Sequence, residues 1–269
     1  MGDDFFLDDD RSMPPTRVIL VHGFNGEPLD MAELDDYLVV MGFRTSNLLL
    51  PGHRVSLRAF AEARWEHWLD AVRARVREAV DAGERVLLIG HSLGGALVLA
   101  TSALEPEVDG VIALCPPISM SPTVRRTVNH LHPYVPFVPS FGEDVRDRIG
   151  VWRRYHRRAY LAVALRTAHS LMESLPAVRG LLPRVSVPAL VVAARHDHVV
   201  PVGDGIEAYK LLGSREKRLV VLEKSYHVVT KDVERHVVFE YCGDFCMRQA
   251  RRSLLPKAAE ASQRVTPSL

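Results

Sequence analysis

Arg85-Val-Leu-Leu-Ile-Gly-His-Ser-Leu-Gly-Gly-Ala-Leu-Val-Leu99 is the stretch that decides how this chain folds. An apolar, β-branched run stops at Gly90, Ser92 follows, and Gly94 and Gly95 open a helix-patterned stretch reaching Leu104. The pattern predicts a strand, a very sharp turn and a helix, with a serine at the apex in a G-x-S-x-G arrangement. So tight a turn drives the incoming strand against the outgoing helix two residues either side of the serine, where a Cβ would clash. Ser92 is expected in a strained backbone geometry, of the kind that persists where a site needs it. The gain is an exposed Oγ, with the N–H of Leu93 aimed from a helix start at an incoming carbonyl.

Outward from this turn, short β-branched runs alternate with longer helical patterns. That alternation predicts an α/β fold: a mostly parallel central sheet with helices on both faces. Strands are predicted at Arg17 to Val21, Thr45 to Leu50, Gly110 to Leu114, Pro188 to Ala194 and Arg218 to Leu222. Helices are predicted from about Leu29 to Met41, Ala59 to Ala82, Gly205 to Leu212 and Val233 to Arg251. Within the second of these, Trp65 and Trp68 lie on an apolar stripe and read as core. From Ile118 to about Pro183 no strand-like run occurs. A loop with Pro133, Pro136 and Pro139 is followed by a helix marked by Trp152, Tyr155, Ala159, Ala162 and Val163, continuing through Leu165, Ala168, Leu171 and Leu175. The expected organisation is a core of residues 16–117 and 184–252 with a helical cap, 118–183, inserted over the site. Residues 1–15 and 253–269 are expected to be flexible ends.

Composition narrows the function classes. The chain has 269 residues, 47% hydrophobic and 25% charged, enough for one large core. A formal net charge of +1 speaks against a nucleic-acid binder. The acidic start, with Asp3, Asp4, Asp8, Asp9 and Asp10, lacks the pattern of a signal peptide, and no apolar run would give stable membrane insertion. Cys115, Cys242 and Cys246 form neither an even framework nor a C-x-x-C pair, which suits a reducing, cytoplasmic compartment. No cofactor is expected.

A serine hydroxyl needs a base to take its proton, and the base needs a group that fixes its tautomer. In a parallel sheet, residues just past different strands meet at one edge. Asp197 follows the predicted strand at Pro188 to Ala194, and His227 follows the one ending at Leu222. The oxyanion formed on attack needs a second N–H besides that of Leu93. Phe24 is the candidate, after the first strand in Val21-His-Gly-Phe-Asn-Gly26, where Gly23 permits a close backbone approach.

Asp204 and Asp232 each open a helix and read as caps. His53 in Pro51-Gly-His-Arg54 reads as structural, bonded to its own loop. His196, Asp197 and His198, or His130 and His132, lack the closing ligands of a zinc site at normal spacing, so no metal is expected. The arginines of Trp152-Arg-Arg-Tyr-His-Arg-Arg158 read as a solvated face of the cap. Pro133-Tyr-Val-Pro-Phe-Val-Pro-Ser-Phe141 fits either an extended linker or an apolar flap over a substrate pocket, with Phe137, Val138 and Phe141 inward.

Taken together, His22-Gly-Phe-Asn-Gly26, Leu50-Pro-Gly-His53, Gly90-His-Ser-Leu-Gly-Gly95, Ala194-Arg-His-Asp197 with Val200-Pro201, and Ser225-Tyr-His-Val-Val-Thr230 resemble the α/β-hydrolase superfamily. Within it they are most similar to the small-capped carboxylesterases and monoacylglycerol lipases, from about Arg17 to Arg251 but outside the cap. The resemblance implies Ser92 as nucleophile, Asp197 as orienting acid, His227 as base, and Phe24 and Leu93 as oxyanion donors. Tyr226 stands where that family usually has glycine, and no H-G-G-G stretch of the hormone-sensitive-lipase branch is present. The expected activity is hydrolysis of small-molecule carboxylic esters with short-to-medium acyl chains. The same three residues would serve a thioesterase, lactonase, amidase or peptidase, and a hydrolase fold kept only for binding would typically have lost one of them.

Overall fold

A computed structural model describes residues 15–140, 144–149 and 162–252. The chain enters through β1 (Thr16–Val21), a 3-10 turn at Pro28–Met31, α1 (Ala32–Val40) and β2 (Arg44–Leu48). Then come α2 (Leu57–Glu62), α3 (Trp65–Asp81), β3 (Arg85–His91), α4 (Leu93–Leu104) and β4 (Val108–Leu114). Between β4 and the return to the sheet lie α5 (Pro122–Leu131), β5 (Phe137–Pro139), β6 (Ala162–Ala164) and α6 (Leu165–Leu181). The core resumes with β7 (Ala189–Ala194), α7 (Val202–Leu211), β8 (Lys217–Leu222) and α8 (Arg235–Arg252).

Six strands form one parallel sheet in the order β2-β1-β3-β4-β7-β8. Strand alternation sorts the core into two layers. Val18, Leu20, Leu87 and Ile89 face Leu34 and Leu38 of α1 and Val238, Phe239, Cys242 and Phe245 of α8. Ile19, Val21, Val86 and Leu88 face the opposite layer, with Trp68 and Val72 of α3, Leu97 of α4 and Leu175 of α6. Ten consecutive residues of α4, Leu93 to Ser102, are buried because the sheet lies on one side and α3 and α6 on the other. A helix apolar all round is what such a position requires. Trp68 is fully buried, as its place on the stripe predicts.

Several elements depart from the sequence reading. The helix expected from Ala59 to Ala82 is two, α2 and α3, separated by extended backbone at Ala63 and Arg64. His67 Nδ1 accepts the N–H of Arg64 at 3.3 Å and starts the second helix there. α5, read as loop, has both start signals: Ser121 Oγ accepts the N–H of Val124 at 3.2 Å, and Pro122 follows it. Ala162 and Val163, read as helix, lie in β6, which pairs antiparallel with β5 (Phe137 with Ala164, Val138 with Val163). Strand partners so far apart in the chain leave no local periodicity to detect. Trp152, Tyr155 and Ala159 lie outside the described residues.

Candidate active site

The elbow is as sharp as its glycines suggest. Ser92 sits at φ 54°, ψ −118°, and α4 starts at the next residue. A Cβ on Gly90 would meet the carbonyl oxygen of Gly94 at 2.1 Å, and one on Gly94 would meet that of Val21 at 2.1 Å. Only glycine lets strand and helix close to this distance. β1 and β3 are neighbours whose onward connections run to opposite sides, so their carboxyl ends frame a crevice at the point where strand order reverses.

Three side chains from three strand ends converge on it. His227 Nε2 lies 2.9 Å from Ser92 Oγ, and His227 Nδ1 lies 2.7 Å from Asp197 Oδ2. Since Asp197 only accepts, the ring proton belongs on Nδ1, which leaves Nε2 to receive the serine proton. The other carboxylate oxygen of Asp197 accepts the N–H groups of Val199 and Val200 at 2.8 and 2.7 Å. Burial works against its charge, but His227 and these two N–H groups outweigh it and hold the carboxyl below its usual range. The Asp197 side chain is 1% exposed and that of His227 is 8% exposed. The order along the chain is Ser, Asp, His.

Two further groups surround this chain of bonds. His91 Nε2 donates to the backbone carbonyl of His227 at 2.9 Å from beneath its ring. Full burial, and then the neighbouring His227, push the His91 pKa down to about 4. Cys115 presents its sulfur behind the pair, within 4.8 Å of the ligand atoms of Asp197 and His227. Burial first, and then the Asp197 charge, raise the Cys115 thiol well above its ordinary range, so it keeps its proton. In this arrangement the carboxylate and the imidazole bind one another. Among the histidines flanking Asp197, His198 Nδ1 pairs with Asp144 at 2.8 Å.

The loop after β1 carries Phe24. Among the described residues the N–H groups of Phe24 and Leu93 have no acceptor, and Leu93 is the first residue of α4. Histidines brace this loop from both sides. His22 Nδ1 donates to Gly23 O at 2.9 Å while its Nε2 accepts Leu50 N–H at 3.2 Å. His53 Nε2 donates to Phe24 O at 2.6 Å. His53 is structural, as read, but what it steadies is the Phe24 loop as much as its own. The Phe24 ring packs against Phe60 and Trp68 at 5.2 and 6.0 Å between centroids.

Above Ser92 lies a cavity of about 240 Å³, whose walls include Phe24, Asn25, Asp30, His91, Asp144, Val163, Val199 and His227. Of the expected flap, Phe137 instead lines a separate cleft with Arg64, His132 and Arg166. Val138 pairs with Val163, and Phe141 lies outside the described residues. The segment between β4 and β7 reaches the cavity through Ser140, Asp144 and Val163. Sequence reasoning missed these residues, since no spacing marks them. His91, printed inside the motif itself, was legible there and overlooked. Asp204 and Asp232 are not simple caps. Asp204 accepts the N–H groups of Ile118 and Ser119 at 3.0 Å each, pinning the chain just past β4. Asp232 accepts the N–H groups of Tyr226, Arg146 and Asp147 and clamps the histidine loop.

A family model described as serine aminopeptidase, S33, matches residues 12–234. The chain is 25% identical over 236 residues to a thermostable monoacylglycerol lipase of a Bacillus species, covering 88% of this chain and 92% of that one. It is 25% identical over 232 residues to a carboxylesterase of Bacillus subtilis, covering 85% and 91%. Among solved structures, one reported with LipS and LipT, two metagenome-derived lipolytic enzymes, superposes with a TM-score of 0.81 at 27% identity, covering 87% of this chain and 94% of that one. No helix among the described residues is long and apolar enough to cross a membrane.

Proposed function

Because the chain belongs to the serine aminopeptidase S33 family of α/β-hydrolases, we propose that it is a serine hydrolase cleaving carboxylic esters of short-to-medium acyl chains. The observation that carries this reading is the continuous hydrogen-bonded series from Ser92 Oγ through His227 to Asp197 at the floor of the cavity. In the proposed reaction His227 Nε2 takes the Ser92 proton as Oγ bonds to the ester carbonyl carbon. The oxyanion is held by the N–H groups of Phe24 and Leu93. The imidazolium, held by Asp197, returns the proton to the departing alcohol, and water then releases the acyl group by the same steps. The described residues between β4 and β7 act as a cap over the site, and Val163 with Ser140 borders the acyl group.

The relatives named as a monoacylglycerol lipase and a carboxylesterase support the ester reading. The family description supports a second one, peptide or amide cleavage by the same residues. A nitrophenyl-ester series of increasing chain length, run beside matched thioester and anilide analogues, separates them. Esters of short to medium chain are expected to give the highest kcat/KM. Ser92→Ala is expected to keep the fold and lose about 10⁴-fold or more in kcat. Preferential anilide cleavage would favour the peptidase reading, and full ester turnover by Ser92→Ala would end both.

A further inference from the structure

We propose that Asp144, delivered by the cap, is a positioning residue for the Ser92 reaction: its carboxylate holds the acid loop and the histidine loop together and sets a second negative charge beside His227. The inference rests on the esterase reading of the site. Asp144 lies in the chain between β5 and β6, outside the parallel sheet, yet it forms part of the cavity wall. Asp144 Oδ2 accepts the backbone N–H of His227 at 3.2 Å and that of His198 at 3.1 Å. Asp144 Oδ1 accepts from His198 Nδ1 at 2.8 Å, and its main-chain carbonyl accepts the N–H of Val228 at 3.1 Å. One carboxylate therefore binds the residue after Asp197 and the backbone of His227 itself. No strand bond performs that task, because both residues lie past the ends of β7 and β8.

The neighbours of Asp144 make the same attachment. Val145 is buried against Val228 and Leu29. The N–H of Arg146 donates to both oxygens of Asp232, 3.0 Å each, and Asp232 Oδ2 also accepts the N–H of Tyr226 at 2.7 Å. The Arg146 guanidinium donates to Lys224 O at 3.1 Å. Three consecutive cap residues are thus fastened to the loop that carries His227, and only the first faces the reacting groups. Tyr226, in the usual glycine position, turns its ring onto His198 at 4.5 Å and closes the outer side of this contact.

The consequence for the reaction is electrostatic as well as geometric. The imidazolium formed in the transition state meets Asp197 at Nδ1 and Ser92 at Nε2, with His91 beneath it, Cys115 behind Asp197, and Asp30 on the cavity wall. Asp144 adds an anion on the backbone side of the ring. A residue serving packing alone would support the fold without lowering kcat apart from KM.

The test uses the full chain with p-nitrophenyl butyrate. Asp144→Asn keeps size and removes charge. It is expected to lower kcat about tenfold while KM changes less than about threefold, as misplacement of a reacting group does. Asp144→Glu keeps an accepting carboxylate but moves it, so it should rescue part of the loss, leaving kcat about threefold below wild type. That second variant decides the matter if Asp144→Asn fails to fold. Wild-type kcat in either folded variant, or a KM that rises in step with the fall in kcat, overturns the proposal. An active wild type that needs Ser92 but is indifferent to Asp144 sinks this inference alone. A wild type inert toward every ester sinks the esterase reading and this inference with it.

Discussion

At position 91 the chain puts an imidazole where almost nothing charged could stay. His91 is fully buried between the elbow and the histidine loop, and its Nε2–H is spent on the carbonyl of His227. Its pKa of about 4, lowered first by burial, lies below the ordinary value of 6.5. Between those two values the unfolded chain binds a proton that the folded chain refuses. Stability from this group is therefore complete above about pH 6.5 and is lost as pH falls toward 4. His91→Gln keeps a donor in the same place without the titration. Denaturant unfolding should show the wild type losing about 2 kcal/mol more than His91→Gln between pH 6.5 and 4.5. Parallel losses in the two proteins would contradict the assignment of His91 as a buried neutral group. Asp197 acts in the same direction at lower pH: its depressed carboxyl adds stability that is lost only as pH falls below the ordinary aspartate range.

Between elements, the attachment that governs the site is ionic. Lys231, past the histidine loop, is fully buried and reaches Asp30 Oδ1 at 2.5 Å, while Asp30 Oδ2 accepts the N–H of Glu27 at 3.0 Å. Thr230 Oγ1 donates to the Asp30 carbonyl at 2.7 Å. These bonds fasten the 3-10 turn after the Phe24 loop to the loop carrying His227. A buried pair adds little net stability over an apolar pair, but breaking it strands a charge. Lys231→Met should cost about 3 kcal/mol in denaturant unfolding, and Asp30→Asn combined with it should recover part of that loss. A change under about 1 kcal/mol in Lys231→Met would mean the pair is not isolated from solvent as drawn.

On the scale of the whole molecule, legibility followed the distance over which a signal acts. The elbow could be read because strand, glycines and helix fall within fifteen consecutive letters, Arg85 to Leu99. Asp197 and His227 could be read because a parallel sheet sends every strand end to one edge, so position after a strand stands in for position in space. The segment between β4 and β7 obeyed no such rule. β5 and β6 pair across more than twenty residues, and Asp144 and Val163 reach the cavity through that tertiary arrangement alone. Nor does any local pattern tell Asp204 or Asp232 that its partners are remote backbone N–H groups rather than its own helix. What the sheet dictates was therefore visible in the sequence, and what the cap adds to it was not.

All of this converges on one hydroxyl, which covalent labelling addresses directly. Incubating the wild-type chain with a fluorophosphonate and mapping the adduct by peptide mass spectrometry should place a single modification on Ser92, with ester hydrolysis lost in step with labelling. Ser92→Ala should take up no label. Persistent hydrolysis in a chain whose Ser92 is quantitatively modified, or an adduct formed at another residue while Ser92 stays free, would contradict the account.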